Sequence, residues 1–249
     1  MAQEVATVPA LAAIPRLVHG FGRRAPGRAT ETREETARRV EASLEGSGRL
    51  LLLRQVHGAV VARAPWNGTP EADAGAATEP GLVLGIQTAD CLPVLLVDPQ
   101  RGFVAAAHAG WRGTASGVSR EAARALVALG SRPGDIVAAL GPGIGPCCYE
   151  VGDELRAVFG ESGAAFFSPG PSGRPHLDVR AANQQQLLDV GLRPQAIHHL
   201  ADCTRCHPEL YHSYRRDGHG SGRMISFVGF RQRRSAEGSS SLPRRNDAF

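Results

Sequence analysis

Three short apolar runs lie close together in the middle of the sequence, at residues 82–86, 92–97 and 103–107. Each run is short enough to be a buried strand, because apolar helices of globular proteins are usually longer than about 10 residues. A helical pattern over residues 116–129 and a further apolar run at 136–140 follow. Strands mixed with helices in this way predict a mixed α/β (α+β) fold.

Weaker patterns extend the predicted fold in both directions. Thr32 and Glu35 have the spacing of a capping box, which predicts a helix that runs to about Leu44. The Gly-, Ala- and Pro-rich stretch 64–81 is predicted to be a loop. The remaining predicted strands cover residues 50–53, 59–63, 196–200 and 224–230, and the remaining predicted helices cover residues 151–159 and 179–190.

The sequence predicts one domain with two extensions. Residues 15–230 contain no repeat and no strong linker, so we expect them to form a single catalytic domain. Residues 1–14 are expected to be a flexible arm. Residues 231–249 have the composition of a disordered tail and carry five arginines against two acidic residues. That surplus of three accounts for most of the formal net charge of +4.

The basic residues restrict the possible chemistry. The domain without its tail is close to neutral, and its basic residues lack the interleaved aromatics of a single-strand binder, which argues against nucleic acid as a partner. All 28 basic residues are arginine. A Schiff-base lysine and a Walker-type phosphate loop are therefore excluded, and any phosphate must be bound by arginine or by backbone amides.

The cysteines and the apolar runs indicate the compartment. The N-terminus does not resemble a signal peptide, and no run approaches the ~18 apolar residues of a membrane span. Five cysteines, an odd number, favour free thiols and thiolates over a disulfide framework. We therefore expect a cytoplasmic protein with no membrane partner.

Three potential metal ligands share a position in this pattern. His57, Cys91 and His108 each lie at the end of a predicted strand, beside a glycine or a small polar residue. Two imidazoles and a thiolate suit Zn²⁺, and three protein ligands leave a fourth position for water. The alternative is two ordinary polar histidines and a buried cysteine.

The other cysteines give weaker signals. Cys203, Cys206 and the following His207 match a c-type haem attachment motif, but such haems are attached outside the cytosol. No second cysteine pair lies at the usual distance for a zinc knuckle, so we expect two loop cysteines. Adjacent Cys147 and Cys148 would form a strained disulfide, and packing after a Gly/Pro turn is the preferred interpretation.

Several polar residues near the proposed ligands are candidates for other roles. Arg54 and Arg112 lie three residues before and four residues after the two histidines, and Arg215 lies in a second basic group beside a Gly-rich turn. All three are candidate substrate-binding residues, with Arg54 the first candidate for a phosphate. Asp90, next to Cys91, could orient a ligand or relay protons, or it could be a turn-forming aspartate.

Longer strings carry a resemblance to a known family. They are RQVHG at 54–58, TADCLPVLLVD at 88–98, AAHAGWRGTASGV at 106–118, GPGIGPCCYEVG at 141–152, LDVRAANQQQL at 177–187 and SYRRDGHGSGRMISF at 213–227. In this order they resemble the bacterial polyphenol oxidase, or laccase-domain, family, which is also described as purine nucleoside phosphorylase. The resemblance implies that His57, Cys91 and His108 bind the metal. It also implies an α–β–β–α sandwich related in shape to the catalytic domain of a Rho-deamidating toxin.

The resemblance also implies an activity. It predicts zinc-dependent phosphorolysis of adenosine, inosine, guanosine and methylthioadenosine, together with adenosine deamination, by a monomer or small homo-oligomer whose partners are purine nucleosides and phosphate. In this mechanism Arg54, Asp90 and Cys91 are the candidate catalytic residues. One alternative is a copper-dependent, laccase-like polyphenol oxidase. Another is a cysteine hydrolase with Cys91 as nucleophile and His108 as base, and the last is a binding protein with a structural zinc.

Overall fold

A computed structural model of the chain describes residues 5–25, 31–44 and 46–232. The strands are β1 (Val5–Ala6), β2 (Leu17–Gly22), β3 (Arg49–Leu51), β4 (Val61–Arg63), β5 (Ala74–Ala77), β6 (Leu82–Thr88), β7 (Leu92–Asp98), β8 (Phe103–Ala109), β9 (Val137–Leu140), β10 (Phe167–Pro169), β11 (Pro175–Leu177), β12 (Ile197–His199) and β13 (Met224–Phe230). The helices are α1 (Pro9–Ala12), α2 (Arg33–Ser43), α3 (Trp111–Ala115), α4 (Val118–Ala128), α5 (Glu154–Phe159), α6 (Val179–Val190) and α7 (Tyr214–Asp217).

The strands form two large sheets and one small one. The first large sheet has the order β1-β2-β13-β6-β3, and the second has the order β12-β9-β7-β8-β5-β4. In the second sheet, β7 pairs antiparallel with both β8 and β9. Strands β10 and β11 pair antiparallel with each other and form the small sheet. The three central apolar runs of the sequence are therefore β6 in one sheet and β7 and β8 in the other.

Alternation along the central strands explains how the two sheets pack. In β7, Leu95 and Val97 belong to the core between the sheets, whereas Val94 and Leu96 belong to the core on the other face. Both faces are buried, so the strand is apolar from Leu92 to Val97 and not only at every second residue. This explains why the short runs of the sequence predicted buried strands correctly.

Helices cover the outer faces of the two sheets. Ala122 and Leu126 of α4 and Leu187 of α6 pack on the second sheet. Val40 of α2 packs on the first sheet, as does Leu44, the residue that directly follows this helix. The resulting order of layers is helix, sheet, sheet, helix, so the predicted α–β–β–α sandwich is confirmed.

Local signals account for one helix and for one missed strand. Helix α2 begins with the predicted capping box, because Thr32 and Glu35 exchange side-chain and backbone hydrogen bonds. The prediction of a loop over residues 64–81 is wrong, because this stretch contains β5. A Cβ on Gly75 would lie 2.8 Å from the Trp66 ring, so the close packing of this strand requires residues too small to give a strand signal.

The N-terminal segment also differs from the prediction. Residues 5–14 are not a loose arm, because β1 pairs with β2 and Leu11 of α1 is fully buried in the core between the sheets. Arg231 donates its backbone N–H to the Arg16 carbonyl and so is attached to the domain. The remaining tail, 233–249, lies outside the described residues. Among the helices of the described ranges, none has the length and apolar character needed to cross a membrane.

Candidate metal centre and substrate cavity

The structure brings the three proposed metal ligands together. His57 lies in the loop before β4, Cys91 in the turn between β6 and β7, and His108 near the end of β8. Their ligand atoms all lie within 4.8 Å of one another. The two imidazole rings meet edge to face, with their centroids 4.8 Å apart. We call these three residues the His–Cys–His site.

Two ligand segments have an unusual backbone conformation. His57 has φ +64°, and Asp90, next to Cys91, has φ +84°. Within the described ranges, Arg16 is the one other non-glycine residue with positive φ. Such conformations cost free energy and persist where the surrounding contacts enforce them. Their position beside two of the three proposed ligands marks this region as a candidate functional site.

Asp73 enforces the conformation at His57 and also orients His108. Its carboxylate is buried and accepts the backbone N–H groups of Val56, His57 and Gly58 at 3.0, 2.9 and 2.7 Å. The same carboxylate lies 2.8 Å from Nδ1 of His108. A proton on Nδ1 satisfies this contact and leaves Nε2 free to bind a metal, which is a common arrangement for metal-binding histidines. The sequence analysis missed Asp73 because it assigned the segment to a loop.

The His–Cys–His site and Asp73 shift one another's pKa values. Burial raises the pKa of the Cys91 thiol, but the charge and hydrogen bonds of His108 and His57 outweigh burial and lower that pKa to about 6. Burial lowers the pKa of His108, whereas Cys91 and Asp73 raise it to about 9. Burial likewise raises the pKa of Asp73, but hydrogen bonds from His108 and from the backbone keep it below its usual range. The sulfur is therefore a thiolate, the form that binds metals.

Gly110 provides the space that the ligands need. A Cβ at this position would lie 2.9 Å from Cys91 Sγ and 3.0 Å from the His57 ring. Any larger residue would push the two ligands apart. The glycine that follows β8 is thus a steric requirement of the site, and the two-nitrogen, one-sulfur donor set fits a zinc ion.

A cavity of about 550 Å³ opens beside the His–Cys–His site. Its aromatic lining consists of Trp111, Tyr149 and Tyr214. Its cationic lining consists of five arginines, Arg33, Arg54, Arg112, Arg215 and Arg223. The cavity therefore offers ring surfaces for a flat apolar group and positive charge for an anion.

The structure places all three predicted substrate-binding arginines at this cavity, each with a partner. Arg54 is largely exposed and pairs with Glu71. The guanidinium of Arg112 lies 4.3 Å from the centre of the Trp111 ring, and Arg215 donates to the Glu150 carbonyl at 2.8 Å. Arg215 is thus held in place at the cavity wall, whereas the charge of Arg54 is already paired with a carboxylate.

Asp90 lies at the cavity, but its carboxylate binds other residues. Its two oxygens accept hydrogen bonds from the Thr204 hydroxyl and from the Arg215 backbone N–H, both at 2.6 Å. The aspartate thereby ties the turn that carries Cys91 to the C-terminal loops. Asp90 was predicted to orient a ligand or relay protons, but the carboxylate that orients His108 is that of Asp73.

Arg33 and Arg223 also line the cavity, although the sequence did not predict them as substrate-binding residues. Burial lowers the pKa of Arg223, and the positive charge of Arg33 lowers it further. Two like charges that face one cavity repel each other, and an anion between them would relieve the repulsion. Arg33 belongs to the N-terminal half of the chain and Arg223 to the loop before β13, so their proximity depends on the fold.

Two nitrogens and one sulfur that open onto a cavity are characteristic of catalytic metal sites, because structural zinc sites have four protein ligands. The chain belongs to the family described as multi-copper polyphenol oxidoreductase laccase, whose model matches residues 25–231. The family resemblance seen in the sequence is thereby confirmed.

Relatives with assigned names and known structures agree with this membership. A purine nucleoside phosphorylase of Streptomyces coelicolor is 41% identical over 207 residues, which cover 82% of this chain and 83% of that protein. An adenosine deaminase from an unknown prokaryotic organism is 38% identical over 153 residues, which cover 59% of this chain and 58% of that protein. The crystal structure of YlmD from Geobacillus stearothermophilus matches with a TM-score of 0.83 at 29% identity, over 93% of this chain and 98% of that one.

Proposed function

We propose that the protein is a zinc-dependent purine nucleoside phosphorylase that also deaminates adenosine. The observation that carries this proposal is the position of the His–Cys–His site beside a cavity with five arginines and three aromatic rings. The names of the relatives indicate the same two activities. Five cysteines without a disulfide fit a reducing compartment, so we place the enzyme in the cytoplasm.

His57, Cys91 and His108 are the residues that would hold the zinc ion. When bound, zinc supplies a Lewis acid and lowers the pKa of water towards ~7. Asp73 keeps the His108 ring in the orientation that presents Nε2, and its hydrogen bonds fix the loop of His57. The chain thus provides a preorganised donor set, as catalysis at a metal requires.

Phosphorolysis requires a bound phosphate beside a bound nucleoside. In this reaction a phosphate oxygen forms a bond to the anomeric carbon and the carbon–nitrogen bond to the purine breaks. The purine leaves with the bonding electron pair and takes up a proton, and ribose 1-phosphate remains. We assign phosphate binding to the facing charges of Arg33 and Arg223, with Arg54 at the rim. Arginine is suited to this role because its donors match phosphate geometry.

The purine is assigned to the aromatic part of the cavity. Trp111, Tyr149 and Tyr214 present ring surfaces on which a flat base can stack. Deamination of adenosine needs one water, which adds at C6 of the base while the amino group takes a proton and leaves as ammonia. The same base position therefore serves both proposed reactions.

A cysteine hydrolase is the second candidate, because the pKa of Cys91 is lowered to about 6 and His108 contacts the thiol. A thiolate with an adjacent imidazole is also the arrangement of a catalytic cysteine–histidine pair. A second imidazole, that of His57, acts on the same sulfur. Three donors around one point favour metal binding over nucleophilic attack.

A copper-dependent phenol oxidase agrees with the description of the family, but blue-copper sites take a further axial ligand.

The decisive experiment removes the metal and tests each chemistry separately. Inosine is incubated with the protein, with and without phosphate, before and after chelation and after zinc is restored. We expect hypoxanthine and ribose 1-phosphate only with phosphate and metal, and ammonia from adenosine only with metal. Chelator-resistant turnover that stops when Cys91 is alkylated would replace this proposal with the cysteine hydrolase. Phenol oxidation restored by copper and not by zinc would replace it with the oxidase.

A further inference from the structure

The other four cysteines lie together outside the cavity. Cys147 and Cys148 follow β9, and Cys203 and Cys206 follow β12. Their sulfurs all lie within 4.8 Å of one another. We call them the four-cysteine cluster. The two pairs have no zinc-knuckle spacing in the sequence, but the fold brings Cys148 next to Cys206, which lies 58 residues further along the chain.

The sulfur distances match a metal site better than a disulfide. Cys206 Sγ lies 3.7 Å from Cys147 Sγ and 3.4 Å from Cys148 Sγ. Four sulfurs bound tetrahedrally to zinc at about 2.3 Å lie about 3.8 Å apart. The bonded sulfurs of a disulfide lie about 2.0 Å apart. Small rotations of the side chains would therefore complete a tetrahedral site.

Backbone contacts hold the two cysteine turns against each other. Thr204 donates its N–H to the Gly143 carbonyl at 3.1 Å, and Gly145 donates its N–H to Cys203 Sγ at 3.3 Å. Cys206 donates its N–H to the Cys203 carbonyl at 3.1 Å, which closes a tight turn between the two sulfurs. An N–H group that points at a sulfur stabilises the thiolate form. Hydrogen bonds between the two turns therefore keep the four sulfurs close together.

Arg180 provides positive charge beside the cluster. Four thiolates and one Zn²⁺ carry a net charge of −2, which needs partial neutralisation. The guanidinium of Arg180 interacts electrostatically with Asp178 and Asp202 and also with Cys203 and Cys147 of the cluster. It also donates to the carbonyls of Gly141 and Leu200, which follow β9 and β12. In the described part of the chain its buried Nε has no hydrogen-bond partner.

We propose that the four-cysteine cluster binds a second, structural zinc ion. Each thiol loses its proton on binding, no sulfur is oxidised, and four protein ligands leave no position for a substrate. The ion would join the turn before Tyr149 and Glu150 to the turn that contains Thr204. These segments reach the cavity, because Thr204 binds Asp90 and the Glu150 carbonyl binds Arg215. The second zinc thereby stabilises the part of the cavity wall that contains Asp90 and Arg215.

Cobalt substitution tests this proposal with a readout that is independent of activity. The full-length protein with His57→Ala and His108→Ala, which disable the first site, is titrated with Co²⁺ under anaerobic, reducing conditions. We expect about one bound Co²⁺ per chain, since four thiolates complete one site, with the intense sulfur-to-cobalt charge-transfer band and visible bands of a tetrahedral tetrathiolate. Cys148→Ser and Cys206→Ser, added singly, should weaken binding and shift these bands. Arg205→Ala is the control, because Arg205 is an exposed residue between Cys203 and Cys206, and it should leave the spectrum unchanged.

Metal and thiol counts on the wild-type protein keep the test valid if those variants fail to fold. We expect about two zinc ions per chain from the two donor sets, with the four clustered thiols protected from alkylation until a chelator is added. Absence of a tetrathiolate spectrum together with a single zinc in the wild type would overturn the proposal. A second result would also overturn it. In this result, two of the four thiols form a disulfide in the metal-free protein, and the protein does not bind zinc after the disulfide is reduced.

Discussion

The His–Cys–His site and the four-cysteine cluster contain all five cysteines of the chain but differ in setting. The first lies where strands of both sheets end, with the buried carboxylate of Asp73 behind it and a cavity in front. The second lies between two surface turns, and Cys147 and Cys206 are exposed. The first set offers three potential ligands and the second offers four. An open coordination position beside a cavity suits chemistry, and a closed set of thiolates suits stability.

Backbone strain separates the two regions in the same way. Residues with positive φ adjoin the first site, at His57 and Asp90. The turns of the four-cysteine cluster are held instead by ordinary hydrogen bonds such as that from Thr204 to Gly143. Strain concentrates where residues must be held in a functional geometry. The comparison predicts that changes at the first site abolish activity and that changes at the second mainly reduce stability.

The largest loss is expected when His108 is replaced by alanine. If three ligands share a binding free energy of about 10 to 16 kcal/mol, the loss of one weakens zinc binding by roughly 10² to 10⁴-fold. Phosphorolysis should fall in parallel at limiting zinc. Zinc content and turnover are measured together during a zinc titration. Arg205→Ala serves as the control, and a His108→Ala protein that keeps full zinc affinity would remove this residue from the site.

A smaller loss is expected for Asp73→Asn. The amide would place an NH₂ group against backbone N–H donors and would weaken the orientation of the His108 ring. Loss of such an outer partner lowers metal affinity by about 10- to 100-fold. The zinc dissociation constant is measured by competition with a chromogenic chelator.

Asp98→Asn is the matched control for Asp73→Asn. Asp98 is also a buried aspartate, and it accepts backbone hydrogen bonds from Gln100 and Arg101 at the end of β7. Its replacement should lower the melting temperature without changing zinc affinity. If both variants lose stability equally and neither loses zinc affinity, Asp73 is a structural aspartate only.

The contrast between these two aspartates shows what the sequence can and cannot predict. Strand β7 was predictable because both of its faces are buried and its apolar run is continuous. Strand β5 was not, because its alanines and Gly75 have no strand signal of their own. Asp73 precedes this unrecognised strand, and its role depends on contacts with residues up to 35 positions away. Its function therefore becomes visible only in the fold.

The candidate ligands follow the same rule. His57, Cys91 and His108 were predictable because each lies beside a glycine or a small polar residue where a predicted strand begins or ends. The four-cysteine cluster was not predictable, because its two pairs are far apart in the sequence and the spacing of either pair alone is ambiguous. Local patterns therefore selected three residues that the fold brings together, whereas the joining of distant turns needed the structure.

An intermediate effect is expected for the arginines of the cavity. Arg223→Ala removes a half-buried charge that faces Arg33, and a lost charge-assisted hydrogen bond of about 1.5 to 3 kcal/mol corresponds to a KM for phosphate roughly 10- to 100-fold higher. Arg54→Ala removes an exposed pair with Glu71, so a change of about 3-fold is expected. The KM values for phosphate and for inosine are measured for both variants. A larger effect at Arg54 would make it the main phosphate ligand, as the sequence first suggested.

The smallest effect on turnover is expected for Cys206→Ser. If Cys206→Ser releases the zinc ion, the cross-link that closes the 58-residue loop between Cys148 and Cys206 is lost, which lowers the free energy of unfolding by up to about 4 kcal/mol and the melting temperature by up to roughly 8 to 16 °C. The cluster reaches the cavity only through contacts such as that from Thr204 to Asp90. Turnover at low temperature should therefore change by less than about 3-fold, which corresponds to less than 1 kcal/mol. Unchanged stability combined with abolished turnover would reverse the comparison, because the four-cysteine cluster would then take part in the chemistry.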